Sequence, residues 1–359
     1  MFLKTKSFFL GANTPEGFFS LFNELYNPEE DWNVYIIKGG PGTGKSSLMK
    51  KVAREADKRG YTVEYIPCSS DPLSLDGIII EELKIAVADG TSPHTINPVY
   101  PGVCEHTIDL GQFWDSNKLK SNNTLIKKIT TENSGYHKQC VSYLKTLSLI
   151  NNELNHITNK YFIKEKADRF IYRFCKNYLS NTDNNYGFCK YRFLSTVTPS
   201  GITVQYDTIF NMCDNIITIS DNSNIISDYI LKNINKYFDK NKIDRILCMC
   251  PTDPRNKIDH IIFPVLRLGV FTSNTYHPMI NKNGKIIRSE RFIDNIVYND
   301  HKNKIKFLNS AKVELIEESV RCLKKAKASH DILESYYISA MDFNRVSAAT
   351  DDLIKKIFL

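Results

Sequence analysis

Asn33-Val34-Tyr35-Ile36-Ile37-Lys38-Gly39-Gly40-Pro41-Gly42-Thr43-Gly44-Lys45-Ser46 decides how this chain is read. The first six residues are rich in β-formers and predict a buried strand. The glycines that follow let the backbone curl until successive N–H groups point at one spot, a concavity that suits a phosphate group. Leu48, Val52, Ala53 and Ala56 then fall on one helical face until Gly60, so a helix starts at the loop and turns its positive end toward the same spot. Strand, loop and helix satisfy the phosphate-binding pattern at every required position. The pattern predicts ATP held by Gly39, Gly40, Pro41, Gly42, Thr43, Gly44, Lys45, Ser46 and Ser47, with Lys45 on the β- and γ-phosphates and the Ser46 hydroxyl on Mg2+.

The second half of the chain repeats the first and lacks the loop. Thr14-Pro15-Glu16-Gly17 returns as Thr198-Pro199-Ser200-Gly201, and Cys68 with Asp71-Pro72 returns as Cys250 with Asp253-Pro254. Asp76 and His94 return as Asp259 and His277 at the same separation. Matches in one order at a nearly constant offset indicate a tandem repeat. That offset lays the glycine loop over Asp221-Asn222-Ser223-Asn224-Ile225-Ile226-Ser227-Asp228, where Lys45 has become Ser227 and Ser46 has become Asp228. The added Asp228 carboxylate is expected to compete for the place a phosphate would take.

Composition restricts the setting. The 359 residues suffice for two domains, and 42% hydrophobic content comes without an apolar run of membrane length. Phe8-Phe9-Leu10 is too short for the core of a signal peptide, so a cytoplasmic protein is expected. The nine cysteines are scattered without a Cys-x-x-Cys pair, and the eight histidines show no metal-ligand spacing. A net charge of +7 is dispersed over groups such as Lys127-Lys128 and Lys324-Lys325. A nucleic-acid partner is compatible with that charge, but no recognition motif supports one.

Each half follows one plan. Strands are expected at Val34 to Lys38, Tyr61 to Pro67 and Leu83 to Ala88, and again at Ile216 to Ser220, Arg245 to Met249 and Val265 to Phe271. Strands alternating with helices imply an α/β fold of two parallel-sheet units, residues 1–190 and 191–359. Cys140, Tyr143, Leu147, Ile150, Leu154, Ile157 and Tyr161 alternate at three and four, so a long helix must pack along its length against another. The expected partner is the following stretch with Ala167, Phe170, Ile171, Phe174 and Tyr178, the two closing a helical hairpin over about 114–180. Val313, Ile316, Val320 and Leu323, followed by a return helix toward Leu359, are the second hairpin.

Magnesium needs a second acidic group. Asp89, after Leu83-Lys84-Ile85-Ala86-Val87-Ala88, fits, and its counterpart in the half without the loop is Thr272. Asp71 and Asp76 persist in both halves and read as turn or capping groups, with Asp71 also placed to orient water or substrate. Glu81, next to Glu82, is the candidate general base, the two falling over Pro264 and Val265. Arg255, where the first half has Leu73, is the candidate cation offered across the two units. Two matches to the guanine-reading tetrapeptide, Asn241 to Asp244 and Asn256 to Asp259, lie in the wrong context, so adenine is favoured over guanine.

The segment Phe9 to Phe18, the loop Lys38 to Ser47, and Cys68-Ser69-Ser70-Asp71-Pro72 through Asp89-Gly90-Thr91-Ser92-Pro93-His94 resemble a little-characterised family of tandem phosphate-loop ATPases from Gram-positive, spore-forming bacteria. The resemblance spans nearly the whole chain and implies two fused units, ATP hydrolysis and a cytoplasmic setting. In that family both halves can carry the loop, and here the second is degenerate. The expected function is a Mg2+-dependent ATPase with one competent site. A small-molecule or nucleotide kinase, and a nucleotide-gated module that engages a protein partner, are the alternatives.

Overall fold

The computed structural model describes residues 6–93, 95–179, 187–275, 277–278 and 284–358; His94 lies outside them. The first described elements are β1 (Lys6–Ser7) and a hairpin of β2 (Gly11–Thr14) and β3 (Gly17–Ser20). Next come β4 (Asn33–Lys38), α1 (Lys45–Lys58), β5 (Glu64–Pro67), β6 (Leu75–Ile80), β7 (Ile85–Asp89) and β8 (Glu105–Asp109). Three helices follow, α2 (Ser116–Ser121), α3 (Asn123–Tyr161) and α4 (Lys164–Leu179). The second half runs β9 (Cys189–Arg192), β10 (Ser195–Thr198), β11 (Gly201–Val204), α5 (Tyr206–Met212), β12 (Asn215–Ser220), α6 (Ile226–Lys240) and β13 (Arg245–Cys250). It closes with β14 (Asp253–Phe263), β15 (Leu268–Ser273), β16 (Lys285–Arg288), α7 (Asn295–Ala340) and α8 (Phe343–Phe358).

Two similar six-stranded sheets result. Their orders, β1-β5-β6-β7-β4-β8 and β9-β13-β14-β15-β12-β16, correspond strand for strand. The sheets are mixed, which corrects the expectation of parallel ones. β6 runs antiparallel to β5 and β7, and β14 antiparallel to β13 and β15, while β4 and β12 keep parallel neighbours on both sides. The reason is connection length: the links between Pro67 and Leu75 and between Ile80 and Ile85 are too short for a crossover helix, so the chain must turn back. All six residues of β6 are buried, including Asp76 and Gly77, and those two residues hid the strand from pattern reading. Register fixes the correspondence between units, because Ile37 pairs with Asp89 and Ile219 pairs with Thr272.

β4 packs in both directions. Val34 and Ile36 join a core that runs on into the second sheet through Ile217, Ile219, Leu247 and Phe263. Tyr35 and Ile37 face the other way, onto Leu48, Met49, Val52 and Ala56 of α1. The junction between units includes a buried ion pair, Arg192 Nε donating to Glu64 Oε1 at 2.6 Å.

The long helices do not form the expected hairpins. α3 lies against α7 of the other half, the two antiparallel, with Cys140, Leu144 and Leu147 meeting Ile316, Cys322 and Leu323. Backbone hydrogen bonds clamp the end of α7 to the stretch leading into α2, and the end of α3 to the start of α7. Asp115 N donates to Ala340 O (2.8 Å) and Asp342 N to Phe113 O (3.0 Å); at the far end Asp294 N donates to Tyr161 O (2.8 Å) and Ile163 N to Phe292 O (2.7 Å). The return helices are thereby exchanged. α4 packs on α6 of the second unit, with Phe174 against Phe238, and α8 packs on α1 of the first, where Val346 and Leu353 join the core. The alternation in α3 required a helical partner; α4 turns off to pack on α6, and the stripe is covered by α7 instead.

Candidate functional site

The loop between β4 and α1 is shaped by its glycines and by what presses on them. Gly42 (φ 68°) and Gly44 (φ 93°) adopt left-handed backbone that a side chain resists. A Cβ on Gly42 would also stand 2.9 Å from the Glu334 carbonyl oxygen. Thr43, buried, donates from Oγ1 to Gly40 O at 2.9 Å and ties the loop across its base. Beyond Gly44, the first N–H groups of α1 at Lys45, Ser46 and Ser47 have no partner within the helix and point at the loop.

Three sequence-predicted residues meet here. Lys45 Nζ donates to Gly39 O (3.1 Å) and Gly40 O (2.7 Å) and lies 3.6 Å from Asp89 Oδ2. Asp89 ends β7 directly beside the end of β4, and its Oδ1 accepts from Thr91 N and Thr91 Oγ1. The Ser46 hydroxyl accepts from Leu75 N at 3.0 Å, and Ser47 is exposed. The outcome is a lysine, a carboxylate and a hydroxyl gathered at the open helix terminus, the donor set that a triphosphate with a hard divalent cation calls for.

The other candidates divide. Asp71 stands at the same sheet edge, where it accepts from Ser74 Oγ (2.8 Å), and Lys327 of α7 approaches it to 3.6 Å. It is a turn group with an ion pair from the far half of the chain. Glu81 and Glu82 follow the end of β6, which pairs with the start of β7, so they lie at the opposite edge of the sheet from the glycine loop. Glu81 is bonded to Lys190 there and Glu82 accepts from Thr62 N, which removes both as bases for this site. Arg255 does cross to the first half, but it donates to Glu16 (2.8 Å to Oε2) in the β2–β3 hairpin and sits over the Phe19 ring. It is spent on that hairpin and does not serve the loop.

What covers the loop comes from elsewhere. Comparison with family models, curated proteins and solved structures gave no match to this chain. The site therefore rests on its own geometry, and the second half supplies part of it: the Tyr337 ring lies over Gly40, Glu334 and Ile338 over Gly42, and Phe343 with Val346 beside Gly44. Glu334 is held below the usual glutamate range, chiefly by its bond to His330, with Lys327 and the Gly42 N–H contributing. Sequence reasoning missed these residues because they act across the exchanged helices.

The corresponding turn of the second unit is filled by its own carboxylate. Asp221 Oδ2 accepts from Ile225 N (3.0 Å), Ser227 N (2.9 Å) and Ser227 Oγ (3.1 Å), and its Oδ1 accepts from Ser223 N (3.0 Å). The competing anion is thus Asp221, at the position of Gly39, and not Asp228. Asp228 instead accepts from Ile258 N and Lys232, and burial raises its carboxyl above the ordinary range. Asp221 was visible in the sequence as a carboxylate where the first loop has its opening glycine.

Behind this turn, Asp259, His260 and His277 are buried, with ligand-type atoms within 4.8 Å of one another. Asp259 and His277 wall a cavity of about 50 Å³ together with Asn224, Cys250 and Lys312. Thr272 N donates to His260 Nδ1 at 3.2 Å, which puts the ring proton on Nε2 and makes that nitrogen a donor instead of a metal ligand. Asn224 Nδ2 donates to Asp259 Oδ1 at 2.7 Å. The recurring Asp and His of the sequence thus come together in the second unit without a direct hydrogen bond, His277 Nε2 standing 3.8 Å from Asp259 Oδ2.

Proposed function

We propose that this chain binds ATP with Mg2+ at Gly39 to Ser46 and hydrolyses it, one nucleotide per chain, with the second unit as a scaffold that has lost its own site. The single observation carrying this reading is the convergence of Lys45, Asp89 and Ser46 at the N-terminal end of α1, set against the internal carboxylate that fills the matching turn of the second unit. Lys45 is 11% exposed and Asp89 13%, so both charges act in a partly desolvated setting where each counts for more than in water. In this reading Lys45 would exchange the Gly39 and Gly40 carbonyls for the phosphate oxygens, and Ser46 and Asp89 would hold the metal, which would supply charge neutralisation on the phosphates. Calorimetry with Mg-ATP and a phosphate-release assay test it: micromolar binding with release into water supports the ATPase, and no binding overturns it.

A second reading has its own support. The α7–α8 corner of the second half sits on the loop of the first, so nucleotide occupancy has a mechanical route to the long helices. A nucleotide-gated module that binds tightly and turns over slowly would use that route, and the same release assay separates it by rate.

A further inference from the structure

Behind the filled turn of the second unit lies the cavity that the nucleotide reading does not use. It sits at the carboxyl ends of β12, β13 and β15, marked by Asn224, Cys250 and Asn274 in its wall, the edge where ligands of open α/β sheets collect. Residues of the β10–β11 hairpin, α3 and α7 complete it. Its polar wall includes Thr196, Lys257, Asp259, His277 and Lys312, all buried except the half-buried Lys257. Asp259 Oδ2, His277 Nδ1 and Thr196 Oγ1 have no hydrogen-bonding partner among the described residues. Buried polar atoms are normally paired, and a carboxylate oxygen left without a donor is the costliest of the three. The three come from β14, the segment after β15, and β10, so what they share is the cavity.

Size and charge select the occupant. A water needs about 10–15 Å³ of such space, so the cavity takes roughly four, the room of a two- or three-carbon acid and far short of a nucleotide. Two cations and one carboxylate line it, and the next carboxylate, Asp221, is committed to the N–H groups of its own turn. Burial, with Lys257 adding to it, pulls the Lys312 ammonium down to about 8, and an anion beside it would relieve that cost. Water leaves the excess charge unmet and finds no partners on Leu147, Val197, Ile202 and Ile316, the apolar part of the wall. We propose that this cavity binds a small α-amino acid, its carboxylate held by Lys257 and Lys312 and its ammonium group by Asp259 Oδ2. Asn224 keeps Asp259 Oδ1, the ammonium supplies the donor that Oδ2 lacks, and a short side chain covers the apolar residues. The site is independent of the glycine loop and gives the second unit a ligand in place of the nucleotide.

Calorimetry on the full chain with L-alanine, L-lactate and propionate tests this, since the three acids are alike in size and differ in the group beside the carboxylate. Alanine should bind once per chain, at least tenfold more tightly than propionate and more tightly than lactate. Lys312→Met keeps the length of the side chain and removes its charge, and it should weaken alanine at least tenfold. Asp259→Asn should cut the preference for alanine over propionate to less than threefold. Thermal unfolding is followed in parallel because both positions are buried, and Lys257→Met, at a half-buried position, replaces any variant that does not fold, with the same tenfold loss expected. No alanine binding by the unmodified chain means that ordered water alone fills the cavity and overturns the proposal. Equal affinity for the three acids, or alanine binding unchanged in folded Lys312→Met or Lys257→Met, overturns it as well.

Discussion

Lys45 Nζ, at the start of α1, lies 3.6 Å from Asp89 Oδ2 at the end of β7, and the matching positions of the second unit, Ser227 and Thr272, carry no charge. The two charges of the first unit are absent together from the second. That joint absence ties the two charges to one another. The buried Arg192–Glu64 pair and the clamped helix ends hold the two units in one framework around this difference.

Lys45→Ala should weaken Mg-ATP binding by more than about tenfold, roughly 1.4 kcal/mol or more, because charge-assisted contacts to phosphate are removed. Its present partners are two loop carbonyls and Asp89, so unfolding free energy should change by less than about 1 kcal/mol. Calorimetry and urea unfolding on one preparation check both. Wild-type affinity at unchanged stability would remove Lys45 from the site.

Asp89→Asn should lower Mg2+-dependent turnover about tenfold or more while sparing metal-free nucleotide binding, since its proposed contact is through the ion. An asparagine still accepts from Thr91, so the strand end stays in place. Asp71→Asn should act differently, lowering stability by about 1 kcal/mol through the weakened Ser74 and Lys327 contacts. A metal defect in Asp71→Asn with only a folding defect in Asp89→Asn would reverse these roles.

Asp221→Ala should destabilise the chain by about 2–4 kcal/mol, because the Ser223, Ile225 and Ser227 N–H groups lose their acceptor in a buried turn. Asp221→Asn, which keeps one oxygen, should cost less. Denaturant midpoints within error of wild type would show that the carboxylate does not hold this turn.

One chain should bind one nucleotide. The second turn already contains an anion bound to its own N–H groups, and a phosphate would have to expel it. Calorimetry yielding two equivalent sites per chain would contradict the asymmetry.

Stability should fall at alkaline pH. Burial pushes the thiols of Cys140, Cys175 and Cys213 up to about 12, whereas thiols of the unfolded chain ionise near ~8.5. Above that pH the unfolded chain releases protons that the folded chain keeps, so the stabilisation is complete below about pH 8.5 and is lost as pH rises toward 12. Urea unfolding under reducing conditions at several pH values should show the decline, shallower in Cys140→Ala. A flat profile would mean these thiols ionise freely in the folded protein.

The local chemistry was legible along the chain: β4, the glycine loop and α1 are set by residues that follow one another, and β-formers, left-handed glycines and an apolar helical face act within a few residues. So was the place of Asp89 beside the loop, because a strand end next to β4 leaves a carboxylate few other places. Direction of the strands was not legible, since Asp76 and Gly77 broke the apolar pattern of β6, and their burial depends on neighbours on both sides. The tertiary structure alone decided which helix meets which. An apolar stripe fixes that a helix must be covered but not by what, and the stripes of α3 and α7 are long enough to cover each other end to end. That choice carried α8 onto α1 and brought Glu334 and Tyr337 to a loop almost 300 residues away in the chain, a separation across which no sequence periodicity extends.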